Sequence, residues 1–421
     1  MKNNMNNNRT CQTLGAILAA WVFSSMHVSA MNDGLADTPP MGWNCYHAFG
    51  TDPDEKMMMR ATDAVVSSGL QAAGYHYVSM DDGWMAKSRD TNGNLAANPT
   101  RFPSGLKALT DYIHSKGLKA GIYLACGQAT YQNLPGSLGH ETNDANQVAA
   151  WGFDFMKYDY RTMPGDPRRD CKAEMIAMSQ ALKNTGRPIL YSMCEHGRSQ
   201  PWTWAADYAD MWRISTDIKD LPTGSFQGGW GYNKIINDKD VSLAAYAGPG
   251  HWNDPDMMIV GLHGRHTWMG PGCTDTEYRA HFSLWCLLAA PLLLGVDPAN
   301  MTPFTSNTVL NAEVIAVDQD TLGKQAVRVS HTDANLDTWV KPLQNHASAV
   351  GLHNFSGATT NMTVQWSDLG LDSNVVLQVR DLWAKTNLGS FTNQYTATGV
   401  PRMRCVEGLT RFITITRGFH G

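Results

Sequence analysis

The run Trp151-Gly152-Phe153-Asp154-Phe155-Met156-Lys157-Tyr158-Asp159 carries the unit from which the architecture is built. A helical segment runs to Trp151 and stops at Gly152. Residues 153–158 read as a strand, and the strand delivers Asp159. The unit recurs on both sides. Residues 54–73 read as a helix ending at Gly74, followed by a strand over 75–80 that presents Asp81-Asp82. Leu106, Leu109 and Ile113 share one helical face. Gly117 stands where a helix C-terminus takes a left-handed residue, and 118–124 is the next strand. Residues 172–185 form a fourth helix, stopped by Gly186, and 189–193 leads into Cys194-Glu195.

The four glycines lie 43, 35 and 34 residues apart, the length of a strand–helix unit. Alternating strands and helices predict a parallel sheet with helices outside it. The polar residue after each strand fits a (β/α)8 TIM barrel, whose strand ends converge on one catalytic face. A doubly wound open sheet competes and would place its site at a topological switch point. No Gly-x-Gly-x-x-Gly follows the first strand and no phosphate-binding Gly-x4-Gly-Lys-Ser/Thr occurs, which weighs against nucleotide-binding versions of that sheet. Past Gln325 the helical period disappears. Short runs rich in Val, Thr and aromatics alternate with turn residues at 349–355, 363–366, 375–382 and 412–416, predicting a C-terminal antiparallel β-sandwich.

The chain therefore divides into a leader over 1–30, a barrel over 31–325 and a sandwich over 326–421. The leader reading rests on Lys2 and Arg9, an apolar stretch over 14–23, and the small-x-small site Val28-Ser29-Ala30. It predicts a secreted or periplasmic protein. Of the eight cysteines, seven remain after cleavage, an odd number; one or two disulfides are compatible with them, and no zinc-type spacing is present. A net charge of −5 without a basic run argues against nucleic acid or an anionic membrane. No apolar stretch after the leader is long enough to span a bilayer.

The carboxylates at strand ends carry the chemistry. Lys157 and Asp159 are two residues apart on one strand and so point to one side. A lysine beside a carboxylate keeps it ionised, as a nucleophile requires, although a structural ion pair reads the same way. Asp217 ends the run Trp212-Arg213-Ile214-Ser215-Thr216-Asp217. Asp81-Asp82 sets two like charges side by side, tolerable when both are hydrogen-bonded, for example to sugar hydroxyls. Trp43, Trp84, Tyr123, Trp202 and Trp204 are aromatic candidates for the mouth. Asn253-Asp254-Pro255-Asp256 reads as a buried turn whose carboxylates cap backbone N–H groups. In Cys194-Glu195-His196, Glu195 is read as the inward residue. Several carboxylates with Lys, Arg and aromatic rings, and no cofactor motif, are what glycoside hydrolysis uses.

The ordered motifs are more specific. Thr38-Pro39-Pro40-Met41-Gly42-Trp43-Asn44, Asp81-Asp82-Gly83-Trp84, Arg101-Phe102-Pro103-Ser104-Gly105, Lys157-Tyr158-Asp159, Tyr191-Ser192-Met193-Cys194-Glu195 and Gly248-Pro249-Gly250-His251-Trp252-Asn253-Asp254-Pro255-Asp256-Met257 occur in order. With these the chain resembles the α-galactosidases of glycoside hydrolase family 27. The resemblance implies a retaining, exo-acting double displacement on terminal α-D-galactosyl residues, with Asp159 as nucleophile and Asp217 as acid/base. Asp81 and Asp82 would bind O4 and O6, Lys157 O3 and O4, Arg213 and Glu195 O2, with Trp43 and Tyr123 around the ring. Asp217 is expected to have a raised pKa, so that it holds its proton. Galactose-containing oligosaccharides or polysaccharides are the implied partners and no metal or organic cofactor is implied; monomer and homodimer both stay open.

The family often has cysteine pairs where this chain has Thr51 and Gly83, and Tyr131 and Arg161, so two disulfides are absent as units. Arg161 lies two residues beyond Asp159, on the loop after that strand, where it is expected to alter the leaving-group subsite. Glu195 would obstruct an N-acetyl group. A β-L-arabinopyranosidase is the rival within the family, and a catalytically inactive secreted sugar-binding protein is the rival of another class.

Overall fold

The computed structural model describes residues 33–161, 171–238, 240–332, 335–402 and 411–417. The expected leader lies outside them. Eight strands, Met41–Asn44 (β1), Tyr77–Ser79 (β2), Lys119–Cys126 (β3), Phe155–Tyr160 (β4), Leu190–Cys194 (β5), Met211–Arg213 (β6), Trp252–Asp254 (β7) and Leu292–Leu294 (β8), form one parallel sheet in the order β8-β1-β2-β3-β4-β5-β6-β7. Met258, just past β7, closes the ring on β8. Its N–H donates to the Leu293 carbonyl (2.7 Å) and its carbonyl accepts from Gly295 N (3.1 Å). A barrel strand has side chains on one face and helices on the other, so both faces are dry. In β3 every position but Lys119 is buried.

Helices Glu55–Ser67 (α1), Leu106–Ser115 (α2), Glu141–Trp151 (α3) and Cys171–Asn184 (α4) return the chain between the first strands. Asp54 caps α1 by accepting from Met57 N (2.7 Å). The helix expected over 54–73 is two pieces: α1 stops at Ser67, Gly69 takes φ +87°, and a 3₁₀ turn Gln71–Ala73 follows. Between β5 and β6 the unit degenerates to 3₁₀ turns, and β6, β7 and β8 have three residues each.

Among its described residues the C-terminal unit has eight strands: Val327–His331 (β9), Leu336–Pro342 (β10), Ser348–Asn354 (β11), Thr360–Gln365 (β12), Val376–Asp381 (β13), Thr386–Thr392 (β14), Gln394–Val400 (β15) and Arg411–Arg417 (β16). A six-stranded antiparallel sheet, β9-β10-β11-β16-β13-β14, faces the pair β12-β15 across a core that includes Val350, Leu352, Val364, Trp366, Leu377, Val379, Ile413 and Ile415. Helix Asp275–Leu288 (α5), started by a Thr274–Glu277 capping box, is buried almost all round between barrel and sandwich. Lys341 Nζ donates to the Cys286 carbonyl (3.1 Å), Trp383 Nε1 to Ser283 Oγ (3.0 Å), and Arg380 grips Glu313 with two bonds (2.7 and 2.8 Å).

The disulfides that the cysteine count left open are not formed among the described residues. Cys45, Cys126, Cys171, Cys194, Cys273 and Cys286 are buried and form no disulfide; Cys126 Sγ donates to Glu174 Oε2 and Cys45 Sγ accepts from Asp81 N (3.2 Å), while Cys405 lies outside the described residues.

Burial also fixes how stability depends on pH. It pushes Asp210 and Asp318 up to about 8 and His47 and His353 down to about 3. A carboxyl raised on folding binds more protons in the native state, so its contribution falls as pH rises from the ordinary 3.8 towards 8. A histidine lowered on folding acts oppositely, adding stability as pH rises to the ordinary 6.5. The two effects oppose each other in acid, and above that pH only the carboxyls still act. The thermal midpoint is therefore expected to fall between pH 6.5 and 8. Asp210→Asn keeps the acceptor that Tyr191 N uses and removes one titration, and it should reduce that slope by about 1.4 kcal/mol per pH unit. Unfolding followed against pH for both proteins checks this.

Candidate active site

At the C-terminal ends of the barrel strands lies a cavity of about 300 Å³. Strand parity builds its floor. Lys157 and Asp159 both line it, while Tyr158 between them is buried outward, 6.2 Å from the ring of Tyr191. Register then carries side chains across the sheet. Tyr123 on β3 pairs with Lys157, and Cys194 on β5 pairs with Asp159, and both line the cavity.

One wall is Asp81-Asp82 with Lys157. Asp81 Oδ2 accepts from Asn44 Nδ2 and Lys157 Nζ, both at 2.9 Å, and Asp81 Oδ1 accepts from Asp82 N (3.0 Å). Burial outweighed by Asp81 and the neighbouring acids keeps Lys157 charged. Asp82 Oδ2 accepts from Gln132 N (3.1 Å), and its carboxyl is pushed up to about 6 by burial and by Asp81. Asp82 Oδ1 is buried and has no partner within the protein. An acceptor left this way in a cavity wall suits a hydroxyl donor from outside.

The opposite wall is Arg213, buried at the end of β6. Its Nη2 lies 2.9 Å from Asp256 Oδ2 and 3.3 Å from Asp217 Oδ1, and Nη1 lies 3.7 Å from Cys194 Sγ. Arg213 Nε is a second buried polar atom without a partner. Asp256 takes φ +112°, a backbone conformation that costs a non-glycine residue about 1–3 kcal/mol. Its carboxylate overdetermines that position, accepting from Ile218 N (2.8 Å) and Met257 N (2.7 Å) besides Arg213. Removing one charge of a buried pair strands the other. Asp256→Asn is expected to cost about 3 kcal/mol in denaturant unfolding.

Asp159 is nearly enclosed. Tyr123 OH donates to its Oδ2 (3.0 Å), and His196 Nε2 lies 3.3 Å from Oδ1. Burial would raise its pKa, but the His196 ring, Lys157 and the Cys194 thiol outweigh burial, and the carboxylate sits below its ordinary range. Asp217 differs from its expected state. Burial within the cavity raises it, yet His196, Arg213, Lys157 and Lys219 together pull it below the usual carboxylate range. Half of its side chain is open to water, at 52 %, so solvent screens that pull. The neighbouring negative charge expected to raise it is present as Asp256, but Arg213 lies between them and neutralises it.

Seven of the nine residues picked out by sequence line this cavity: Asp81, Asp82, Tyr123, Lys157, Asp159, Arg213 and Asp217. Two do not. Trp43 is fully buried beneath it, its Nε1 donating to the Val296 carbonyl (2.8 Å), and Tyr46 lines the wall instead. Glu195 faces away from the cavity, accepting from Ser199 N (2.8 Å) and lying 3.4 Å from Cys171 Sγ. The inward residues of that turn are Cys194 and His196. Parity explains the reversal: Cys194 shares the inward side of the sheet with Asp159, so its neighbour must turn outward. Trp84, Trp202 and Trp204 also lie outside the lining. Sequence reasoning missed Tyr46, Lys219 and Met257 as well. Asp256 does cap backbone N–H groups as its turn suggested, and in addition holds Arg213.

Arginines stand at both places where the resemblance implies missing cysteine pairs. Arg101 Nη1 donates to the carbonyls of both Thr51 (2.9 Å) and Gly83 (2.7 Å). Gly83 has φ +103°, and a Cβ there would meet Thr51 O at 2.0 Å, so no side chain fits. Arg161 donates to the Thr130 carbonyl and to Asn133 Oδ1, and lies over the Tyr131 ring at 5.7 Å. It thus ties together the rim loop that carries Tyr131 and Gln132. Asp159, Cys194 and His196 bring ligand-type atoms within 4.8 Å of one another. Burial holds the thiol protonated and Lys157 and Arg213 lie alongside, an environment that opposes a cation.

Comparison with known proteins agrees with this geometry. Residues 38–320 match the family described as alpha galactosidase A, and residues 333–405 match the alpha galactosidase C-terminal beta sandwich domain. Alpha-galactosidase 2 of Arabidopsis thaliana is 42 % identical over 382 residues, spanning 90 % of this chain and 91 % of its own. Alpha-galactosidase A of Cellvibrio japonicus is 42 % identical over 361 residues, with 84 % and 85 % covered. The crystal structure of alpha-galactosidase I from Mortierella vinacea superposes with a TM-score of 0.84 at 36 % identity, covering 92 % of this chain and 99 % of that one.

Proposed function

This chain belongs to the alpha-galactosidase family of glycoside hydrolases, and we propose that it is a retaining, exo-acting enzyme that removes terminal α-D-galactosyl residues from oligosaccharides or polysaccharides. The observation that carries the reading is the pair of carboxylates in one cavity, Asp159 nearly enclosed and ionised, Asp217 half open to solvent. Asp159 attacks the anomeric carbon while Asp217 gives its proton to the departing oxygen. The C1–O bond breaks and a glycosyl-enzyme ester forms. Water then attacks C1, its proton goes to Asp217, and the electron pair of the ester bond returns to Asp159.

Binding sets up that first proton transfer. A sugar hydroxyl that engages Arg213 Nε competes for the cation that holds Asp217 ionised, and the sugar displaces water that solvates the Asp217 carboxylate, a desolvation that disfavours its charge. Both changes favour the protonated acid. Asp82 Oδ1 and Asp81 take hydroxyls on the far side of the ring, and Lys157 donates between them. The leader-like composition of residues 1–30 supports a site of action outside the cytoplasm, secreted or periplasmic.

Hydrolysis of aryl α-D-galactopyranoside beside aryl β-L-arabinopyranoside tests the reading. These sugars share ring stereochemistry, and the second lacks the C6 hydroxymethyl group. Galactoside turnover exceeding arabinoside turnover is expected. The reverse ratio would reassign the specificity, and no turnover of either would favour a binding protein.

A further inference from the structure

Two side chains outside the expected set touch a reacting carboxylate, Cys194 and His196, and the second is the stronger donor. It follows β5 directly and takes φ +61°, a left-handed backbone that costs an ordinary residue energy. Gly197 holds the turn there. It has φ +71°, and a Cβ on it would meet the Ile214 carbonyl at 2.1 Å, so the turn is pressed against the end of β6 more closely than any side chain permits. The ring that results is largely buried, with 14 % of its side chain exposed, and its Nε2 points at Asp159 Oδ1.

We propose that His196 is a positioning residue for Asp159, holding Oδ1 through a ring N–H while Tyr123 holds Oδ2, and that this bond governs the second chemical step more than the first. The inference rests on the retaining reading above. The charge bookkeeping gives the asymmetry. In the first step Asp159 loses its negative charge to the new C1–O bond, so a donor aimed at the carboxylate stabilises the starting state. In the second step that bond breaks and the electron pair returns to Asp159, so the same donor stabilises the departing carboxylate. No proton leaves His196 in either step. The group is equipped for this: burial would lower its pKa, but Asp159 and Asp217 raise it, so both ring nitrogens carry hydrogen over a wider range than in a free histidine.

The experiment compares His196→Asn and His196→Gln with wild type on an activated aryl α-galactoside, for which breakdown of the glycosyl-enzyme limits turnover. Asparagine tolerates the left-handed backbone but is too short to reach Oδ1; glutamine restores a donor at the reach of Nε2. A charge-assisted hydrogen bond of this kind supports an expected loss in kcat of about ten-fold for His196→Asn. Because kcat/KM reports only the first step, it should stay within about three-fold, so KM should fall with kcat. His196→Gln should recover most of the loss. Equal losses in kcat and kcat/KM, or no change in either, would overturn the proposal. Asp159→Ala in parallel separates the two readings. Turnover that survives in that variant would sink the retaining mechanism itself, whereas an inactive Asp159→Ala beside an unaffected His196→Asn would remove only the role of His196.

Discussion

Asp159→Ala is expected to lose at least about 10⁴-fold in kcat on an aryl α-galactoside, the scale seen when a covalent nucleophile is deleted. Nothing else in the cavity can replace it. Asp217 is on the leaving-group side, Asp256 is committed to Arg213 and two backbone N–H groups, and Asp81 is held by Lys157 and Asn44. The Cys194 thiol is next to Asp159, but burial holds it well above its ordinary pKa and therefore un-ionised. The variant should fold, because the position opens on a cavity that admits water, which can take the hydrogen bonds that Tyr123 and His196 lose. Its shape suggests a chemical rescue. A small anion such as azide, entering the space left by the carboxylate, attacks an α-galactoside from the β face. The expected product is the β-galactosyl azide, inverted relative to the substrate. Product analysis by NMR checks both the loss and the configuration.

Asp217→Ala has the second largest effect, and its size depends on the leaving group. An alkyl galactoside or a disaccharide cannot depart without a proton, so kcat/KM should fall by about 10²–10⁴-fold. A nitrophenolate departs unaided, so the first step should be far less affected and breakdown of the intermediate should become limiting. Azide added to this variant meets the glycosyl-enzyme from the α face, giving the α-galactosyl azide. The two variants should therefore yield opposite anomers from one substrate, a contrast that no shared folding defect can mimic. In the proposed mechanism Asp217 also sets the pH behaviour of wild type. The reaction needs its protonated form, and the cations around it favour the ionised form in the free protein. For unactivated substrates kcat/KM follows the free protein and should decline as pH rises through a range below the ordinary 3.8, and Asp217→Ala should lose that decline.

The architecture was legible because each early strand–helix unit ends on a glycine. Gly152 takes φ +90° at the end of α3 and Gly74 takes φ +108° before β2, both conformations that a side chain disfavours. The later units were not legible. Strands of three residues carry no period, and the 3₁₀ turns between β5 and β6 replace the amphipathic helix that marks the earlier units. The break of α1 at Ser67 was hidden for a related reason: Leu70, Ala72 and Ala73 continue a helix-favouring composition past it.

Within the site, parity inside one strand could be read and register between strands could not. Lys157 and Asp159 share a face by spacing alone. Whether Cys194 or Glu195 faces the cavity depends on which residue of β5 sits beside Asp159, a fact of pairing that no local pattern contains. A lone glutamate beside a cysteine draws attention by its chemistry, and here that signal misled. His196 was visible as a departure in the same turn, and its left-handed conformation was foreshadowed only by the glycine that follows. Asp217 was misjudged in protonation because the cations that surround it come from distant parts of the chain, Lys157 on β4 and His196 after β5. Trp43 was misplaced because a large aromatic near a sugar site and one beneath it look alike in sequence.

The most direct measurement is covalent trapping. A fluorinated galactosyl donor, whose electron-poor ring slows breakdown of the ester more than its formation, is incubated with wild type, and the protein is digested and sequenced by mass spectrometry. A stoichiometric galactosyl adduct on Asp159, accompanied by time-dependent loss of activity, is the predicted result. An adduct on another carboxylate, or release of β-galactose as the first-formed product of an ordinary substrate, would contradict the assignment of Asp159 as the nucleophile of a retaining enzyme.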